Sequence, residues 1–438
     1  AYVYLAQSKN DEAIAEFAKV LEINPEMNSI RFDYANLLAD KGDYDGAINQ
    51  YIEYLKTSKD NEIAYLNAGI LYEKKGDYQN AIKILEEGRI SAPKNIEIQK
   101  ELAKSYHLAK QYDSAIKVYD MLLSSEPDNI DLALNKGIAY HTGKNYQEAI
   151  NIYKSVLVKQ PDNKTAKDYL IKAYISQGDD FYASNEYRKA VNSYEEALKL
   201  DMENPVIYIN IANAYDKIGS KSKVIEYYER AMEIAPENSE VLSSYAKALT
   251  KYDKHEAAKI VYDKAINAES TPINDKYAYI MELADSYYKN KDYNNALIEY
   301  QKAYELNKTD EIINIKIGNT YKSLSNLDKA IEFYNEAIKI NPNNPDPYFN
   351  KGLCLAELNE LTSAKENFEK VVELKSDYAY AYYALGLAFE KEDNLQKAIE
   401  NYEAFIQYAQ DKNLKNNVQN KVNNLKKKLP EISETIEE

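Results

Sequence analysis

The feature that most constrains this chain is a small residue that returns at a period of 34 residues. A large, mostly aromatic residue follows it four positions later, so both lie on one face of a helix. The small residues are Ala13, Ala47, Ala81, Ala115, Ala149, Ala190, Val224, Ala258, Ala296, Ala330, Ala364 and Ala398. The large residues are Phe17, Tyr51, Leu85, Tyr119, Tyr153, Tyr194, Tyr228, Tyr262, Tyr300, Tyr334, Phe368 and Tyr402. Twelve such repeats indicate stacked helical units rather than one globular core.

A second small residue lies twelve positions before each of these anchors, in a first helix that precedes the anchor's helix. We number it as the eighth position of the repeat; the series is Ala1, Ala35, Gly69, Ala103, Gly137, Gly178, Ala212, Ala246, Ala284, Gly318, Gly352 and Gly386. Small residues at both places let two antiparallel helices approach closely. Asp43, Asp77 and Asp292 follow the turn between the helices and are predicted to cap the second helix.

Two spacings depart from the period. The spacing of 41 between Ala149 and Ala190 adds seven residues near Lys164 to Leu170. Seven residues are about two helical turns, so we expect a longer helix there. The spacing of 38 before Ala296 adds four residues near Ala268 to Asp275, where a proline favours a longer loop.

The pattern resembles the tetratricopeptide repeat family, whose first helix carries an aromatic residue, Leu, Gly and Tyr, and whose second carries Ala, an aromatic residue, Ala and Pro. Tyr65, Tyr208, Tyr348 and Tyr382 stand where the family has Trp, and Val224 replaces one Ala. The resemblance implies an all-α fold, a right-handed α-solenoid (superhelix) of antiparallel helix pairs. It also implies that the first helices line a concave, protein-binding groove.

The repeats set the predicted boundaries. Residues 1–411 hold twelve repeats, the first truncated because Ala1 falls on its eighth position, which predicts that the chain is a fragment. An amphipathic capping helix is predicted over 412–429. Its apolar positions are Leu414, Val418, Val422, Leu425 and Leu429. An acidic tail is predicted over 430–438.

Charge and composition limit the partners. The chain has 71 acidic and 55 basic side chains and a net charge of −16, a field that repels nucleic acid and anionic membranes. No apolar run is long enough to insert into a membrane. The single cysteine favours the cytoplasm, while the truncated start leaves a periplasmic or membrane-anchored location open. The Lys, Asn and Ile bias favours a bacterial source.

Residues able to carry out catalysis are scarce. His107, His141 and His255 have no nucleophile motif around them, and Cys354 lies inside a predicted helix as a small buried residue. His107 and His141 supply only two potential metal ligands. We therefore predict no enzyme activity, no cofactor and no metal.

Three sets of groove residues are candidate ligand contacts. At the sixth position of the first helix, Asn67, Asn135, Asn210 and Asn350 resemble the asparagine ladder of O-linked N-acetylglucosamine transferases. An amide donates and accepts, which suits the backbone of an extended peptide. A solvated polar face is the alternative interpretation. Tyr380 and Tyr383 form another set, as rings facing the groove.

The third set is a basic cluster predicted on the inner face of repeats four to six: Lys100, Lys104, His107, His141 and Lys172. Such a cluster attracts a carboxylate or acidic peptide. It resembles the carboxylate clamp of chaperone-tail-binding co-chaperones at Lys100, Asn135 and Lys172, while Lys104 and Ser176 replace the family's Asn and Arg.

The predicted function is a non-catalytic scaffold that binds peptides or protein subunits in its groove. Two alternatives stay open. One is a structural array that self-associates through its truncated first repeat. The other is the regulatory portion of a larger enzyme, such as a glycosyltransferase.

Overall fold

The chain is built from helices alone wherever its structure is described. The computed structural model describes the backbone of residues 1–268 and 271–435, and side chains through Leu429; these residues form 25 α-helices and no strand. The predicted all-α solenoid class is confirmed. None of the described helices combines the length and apolar character needed to cross a bilayer. The helices group into two compact bodies, an N-terminal body of residues 1–220 and a C-terminal body that begins at Lys221.

The N-terminal body contains six antiparallel helix pairs followed by one further helix. Its helices are α1 Tyr2–Ala6, α2 Asn10–Ile23, α3 Arg31–Lys41, α4 Tyr44–Leu55, α5 Glu62–Lys74, α6 Tyr78–Ser91, α7 Ile96–Leu108, α8 Tyr112–Ser125, α9 Ile130–Thr142, α10 Tyr146–Lys159, α11 Lys164–Ala183, α12 Tyr187–Leu200 and α13 Pro205–Ile218. Each odd-numbered helix is the first helix of a repeat; α1 to α11 pack on the second helix of their own repeat, and α3 to α13 pack on the second helix of the repeat before.

The C-terminal body begins with one second helix and continues with five pairs and a final helix. Its helices are α14 Lys221–Ile234, α15 Ser239–Lys251, α16 His255–Asn267, α17 Ile273–Lys289, α18 Tyr293–Leu306, α19 Glu311–Ser323, α20 Leu327–Ile340, α21 Pro345–Glu357, α22 Leu361–Leu374, α23 Ala379–Lys391, α24 Leu395–Tyr408 and α25 Lys412–Thr435.

The final helix α25 packs against α24, and its apolar positions Val418, Val422 and Leu425 are buried there. It runs to Thr435, beyond the end predicted at residue 429. A proline removes one backbone hydrogen bond but does not by itself end a helix. The predicted acidic tail therefore begins inside α25, and its residues 436–438 lie outside the described part of the chain.

The core of each repeat is the contact between the eighth-position residue and the large residue of the second helix. An ideal Cβ placed on Gly178 would lie 2.4 Å from Cε1 of Tyr194, and one on Gly318 would lie 2.6 Å from Cε1 of Tyr334. Both rings are almost fully buried. The glycine therefore makes the room that the ring fills, as the predicted small–large pairing requires.

The turn between the two helices of each repeat contains one residue with a positive φ angle. There are twelve such residues among those described: Ser8, Gly42, Gly76, Lys110, Lys144, Asn185, Gly219, Asp253, Lys291, Ser325, Asn359 and Asp393. They follow the same spacing as the anchors. The predicted caps come next in the chain and are confirmed: the Asp43 carboxylate accepts from the Gly46 amide at 2.9 Å, and Asp77 and Asp292 act alike.

One of the two predictions about longer spacings is confirmed and the other is wrong. The added seven residues lengthen α11, which has 20 residues against 13 in α9. The added four residues were predicted to form a loop, but α17 has 17 residues and begins directly after Pro272. Proline is compatible with a helix start because the first amide needs no intrahelical partner. The residues 269–270 lie outside the described part.

The positive φ angles allow a direct test of backbone strain. Gly42 has φ of +87°, and a Cβ there would meet no atom within 4 Å, so Gly42→Ala changes the backbone energy without a clash. We expect the free energy of unfolding to fall by about 1 kcal/mol, measured by urea denaturation. The reverse change, Lys144→Gly at φ of +65°, serves as the control and should leave stability within about 0.5 kcal/mol. An unchanged Gly42→Ala variant would contradict the strain argument.

Candidate functional site

Several neighbouring first helices contact each other within each body. In the N-terminal body α5 contacts α7 and α9 contacts α11; in the C-terminal body α19 contacts α21 and α21 contacts α23. Residues at equivalent positions of neighbouring first helices therefore face one another across about one repeat. We call this surface the first-helix face, and all the candidate groove residues lie on its helices.

The sixth-position residues of the N-terminal body are largely bonded to the preceding repeat. The Tyr2 hydroxyl donates to the Asp33 carboxylate at 2.9 Å. The Asn67 amide donates to Asn36 Oδ1 at 3.3 Å and to the Tyr51 hydroxyl at 3.1 Å. Asn67 therefore joins two repeats, and its NH2 group is already engaged within the chain.

The C-terminal body repeats this arrangement with charged residues. The bonds to the preceding repeat are Glu282 with Lys247 at 3.0 Å, Lys316 with Asp285 at 2.6 Å, and Asn350 Oδ1 with Lys322 Nζ at 3.3 Å. The sixth-position side chain thus mainly bonds its repeat to the preceding one, and we call such a bond a stitch. In the sequence analysis these polar residues are interpreted either as an asparagine ladder or as a solvated face, and bonding between repeats is a third role.

Two of the four predicted asparagines are not stitched. The Asn135 side chain is exposed and Asn210 is half-buried, and neither amide has a hydrogen-bond partner among the described residues. The ninth-position residue of the preceding repeat, which bonds to Asn67 in its repeat, is Lys104 for Asn135 and Asp179 for Asn210, and neither is hydrogen-bonded to the amide. Lys104 pairs with carboxylates, and Asp179 accepts from the Tyr194 hydroxyl at 2.7 Å. Asn135 is therefore the more exposed of the two open amides on this face.

The predicted basic cluster is partly neutralised. Lys100 Nζ lies 2.9 Å from Glu97 Oε1. Lys104 Nζ lies 2.7 Å from Glu73 Oε2 and 2.5 Å from Glu101 Oε1. These two ammonium groups already have anionic partners within the chain, which reduces their attraction for an external carboxylate.

Lys172 is the cation of this cluster that remains open. Its side chain is exposed and forms no ion pair with any described carboxylate, and its Nζ lies 5.8 Å from the centre of the Tyr169 ring. It stands on α11, the first helix that contacts the helix of Asn135. The positive charge available to a ligand is therefore carried by fewer residues than the sequence predicts.

The two histidines act as packing residues. Both are half-buried, and each ring meets a tyrosine edge-on, His107 with Tyr112 at 5.4 Å and His141 with Tyr146 at 5.7 Å. Burial lowers the pKa of both imidazoles, and the Lys172 charge lowers the pKa of His141 further. Both rings are therefore neutral near pH 7 and add no positive charge.

The described residues offer little for catalysis. They contain no group of three or more His, Cys, Asp or Glu side chains placed to hold a metal ion. Cys354 is buried, and burial raises the pKa of its thiol to about 11, so the thiolate is scarce at neutral pH. His141 Nε2 lies 2.9 Å from Ser176 Oγ, but the side chains described as hydrogen-bonded to that pair include no carboxylate that would orient the imidazole.

The two predicted aromatic contacts differ. Tyr380 is 55% exposed and borders a depression of about 780 Å³ in the C-terminal body. Tyr383 is half-buried, with its ring 5.8 Å from Tyr402 and 5.3 Å from Phe405. Tyr383 therefore belongs to the core, and Tyr380 is the ring that a partner can reach.

The structure has a buried carboxylate, that of Glu73, which the sequence analysis does not predict. Its side chain is 8% exposed, accepts from the Ser105 hydroxyl and pairs with Lys104. Burial and the neighbouring Glu101 raise the pKa of the Glu73 carboxyl. The signal in the sequence is that Glu73 occupies the repeat position at which the next two repeats have histidine.

Asparagine has a second role that sequence reasoning missed. The residue before most first helices is an asparagine or aspartate whose side-chain oxygen accepts from a backbone amide of the first turn. These caps are Asn61, Asn95, Asn129, Asn163, Asn204, Asn238, Asp310 and Asn344. Part of the asparagine content therefore serves helix starts.

Stacked antiparallel helix pairs with this small–large contact define a class of helical-repeat proteins. Family profiles identify the particular repeat. Tetratricopeptide repeat profiles match residues 4–70, 72–136, 206–238, 277–310, 345–378 and 379–412, and a TPR repeat profile matches 178–219 and 318–358. The chain belongs to the tetratricopeptide repeat family.

Several named proteins are similar over part of the chain. Mitochondrial import receptor subunit TOM70 of Saccharomyces cerevisiae is 31% identical over 109 residues, which are 25% of this chain and 17% of the receptor. The heat-shock protein cognate co-chaperone sgt12 of Aspergillus fumigatus is 33% identical over 22% of this chain and 28% of its own length. The chain thus matches less than a third of either relative. The crystal structure of yeast Tom70 aligns with 100% of this chain and 97% of its own, at 15% identity and a TM-score of 0.39.

These relatives are named as a receptor subunit and a co-chaperone, and neither name is that of an enzyme. They come from a yeast and a filamentous fungus, and a further TPR repeat-containing protein comes from the archaeon Methanocaldococcus jannaschii. The bacterial source stays a prediction.

The stitching role of the sixth position distinguishes two asparagines. Asn67→Ala removes two hydrogen bonds, those that its amide donates to the Tyr51 hydroxyl and to Asn36, so we expect the free energy of unfolding to fall by about 1–2 kcal/mol. Asn135→Ala, at the same repeat position but without partners, should change it by less than about 0.5 kcal/mol. Urea denaturation followed by circular dichroism measures both. Equal losses would contradict the distinction.

The raised pKa of Glu73 predicts a pH dependence. At a pH between the unfolded-state pKa of about 4.5 and the raised folded-state pKa, Glu73 keeps its proton in the folded chain and loses it in the unfolded chain. The free energy of unfolding of the wild type therefore falls as the pH rises through this interval. Glu73→Gln removes this fall, and its stability relative to wild type should increase between pH 4 and pH 7. Thermal melts across this range measure the difference. The exposed Glu87→Gln is the control; a Glu73→Gln difference that is flat with pH would refute the assignment.

Proposed function

We propose that this chain is a scaffold that binds an extended segment of a partner protein on the first-helix face of its N-terminal body, centred on Asn135 and Lys172. The observation that carries the proposal is the open Asn135 amide. It stands in a row of polar side chains of which several are bonded to the preceding repeat, as Asp33 and Asn67 are. A polar group without an internal partner is available to a ligand at no cost to the packing.

The chemistry of the two side chains defines the segment they suit. Asn135 offers an amide donor and acceptor, which match the C=O and N–H of an extended backbone. Lys172 offers an exposed ammonium group for a carboxylate. Because α9 and α11 contact each other, one short segment can reach both residues. The expected ligand is therefore an extended peptide with an acidic side chain or a terminal carboxylate.

The family supports the scaffold part of the proposal. The chain is made of tetratricopeptide repeats, and the similar named proteins are an import receptor subunit and a co-chaperone. Such roles consist of engaging other proteins. Self-association through the first repeat, a role as the regulatory portion of a larger enzyme and the exclusion of nucleic acid stay predictions.

The proposed site is smaller than the one predicted from sequence. Lys100 and Lys104 have carboxylate partners, and His107 and His141 are neutral packing residues. These four residues therefore shape the surroundings of the site without supplying its charge. Asn210 remains an open half-buried amide one repeat beyond Lys172 and extends the row available to a longer segment.

A displayed library of random peptides tests this proposal without a known partner. Peptides selected on the wild-type chain should bind the double variant Asn135→Ala, Lys172→Glu about tenfold more weakly, because a hydrogen bond and a charge-assisted contact are lost. Fluorescence anisotropy of labelled peptides measures the affinities. Binding to the wild type should also weaken as salt is raised.

The control is Lys167→Glu, the same charge change on α11 but about 140° around the helix from Lys172. It should retain wild-type affinity. The proposal fails if the selected peptides bind the double variant as tightly as the wild type, or if selection yields no peptide.

A further inference from the structure

The depression beside Tyr380 lies at the start of α23, next to the connection between α24 and α25. Its volume is about 780 Å³, and it lies entirely within the C-terminal body. Phe405 forms part of its wall and is fully buried, whereas Tyr380 and Tyr408 are 55% and 36% exposed at its rim. The depression therefore presents aromatic rings to an incoming group.

A contact that two other repeats make at this place is missing beside the depression. In those repeats a glutamate in the first turn of one first helix accepts from the capping asparagine of the next, as Glu62 does from Asn95 at 2.6 Å and Glu311 does from Asn344. At the start of α23 the equivalent of the glutamate is Ala379, which has no polar group to make this bridge.

The charges around the depression favour a cation. Asp346, Asp377 and Asp411 line it, against the single ammonium group of Lys375. Asp346 accepts from the Tyr378 hydroxyl at 3.2 Å, and Asp411 caps the start of α25 through one carboxylate oxygen, Oδ1. Both carboxylates keep lone pairs for a further donor.

One aromatic ring of the depression, that of Tyr378, already lies beside a cation of the chain. Lys375 Nζ lies 5.7 Å from the centre of the Tyr378 ring. Tyr380 has no lysine or arginine over its face among the described contacts, although it is the most exposed ring of the depression. A cation over an exposed aromatic face gains energy from the ring quadrupole, and nearby carboxylates add to the gain.

We propose that this depression binds a basic segment of a partner protein by taking one arginine or lysine side chain between Tyr380 and the three aspartates. The charge complementarity is local, and the chain's net charge of −16 favours approach of a basic segment. This binding surface is separate from the peptide site around Asn135, and it selects the opposite charge.

The test uses the full chain and a fluorescein-labelled peptide of arginine, glycine and serine, with the same peptide carrying glutamine in place of arginine as the neutral probe. The arginine peptide should bind saturably and the glutamine peptide at least about fivefold more weakly. Tyr380→Leu, which keeps the apolar surface but removes the ring, should weaken arginine-peptide binding about fivefold, and Tyr380→Phe should retain it. Asp377→Asn should weaken it and reduce its salt dependence.

Two controls separate this site from others. Asp131→Asn changes the charge by the same amount on a first helix of the N-terminal body, and the double variant at Asn135 and Lys172 alters the other proposed site; both should bind the arginine peptide like the wild type. Equal binding of the two peptides, full binding by Tyr380→Leu, or no saturable binding would each overturn the proposal. Because Tyr380 and Asp377 are exposed, their variants should have the same melting temperature as the wild type.

Discussion

The close contact between a small first-helix residue and a large second-helix residue is the constraint on which the structure depends. Gly137, Gly178 and Gly318 each lie where a Cβ would be 2.4–2.6 Å from a buried tyrosine ring. Such a distance leaves no room for a larger side chain, so the two helices can approach only if the residue stays small. Because each pair is too short to be stable alone, the same contact must recur in every repeat for neighbours to support one another.

Using tyrosine for that ring creates a second requirement, since its hydroxyl must find a partner inside the protein. In four repeats the hydroxyl donates to the residue directly after the small one; the pairs are Tyr51 with Asn36, Tyr194 with Asp179, Tyr300 with Asp285, and Tyr334 with Asn319. Where the large residue is Leu85 or Phe368, that position is Ile70 or Leu353. Tyr153 faces an isoleucine there, and its hydroxyl has no partner among the described residues. The polar pattern of the first helix is thus tied to the ring of the second.

The sequence predicts those features that depend on short spacings. The repeat period, the small–large pairs, the caps such as Asp43 and the longer α11 all follow from residues a few positions apart. Pairs between repeats could not be predicted in this way, because several polar residues share each first helix and the pattern does not say which one turns toward its neighbour. The sequence therefore predicts that Lys104 attracts an anion, although the buried Glu73 already pairs with it. The four added residues are predicted as a loop but lengthen α17, because proline suits a helix start as well as a loop.

Stitching and ligand binding compete for the same side chains, since a donor or acceptor bonded to the preceding repeat is no longer available to a peptide. The open positions are therefore those that make no bond to the preceding repeat. Asn135 is open because Lys104, which would reach it, is held by Glu73 and Glu101. The depression beside Tyr380 borders Ala379, which stands where Glu62 and Glu311 bridge to the next first helix in their repeats. In both bodies the candidate contact surface lies where a side-chain bond between neighbouring repeats is missing. Substitutions there can therefore change which ligand is bound at little cost in stability.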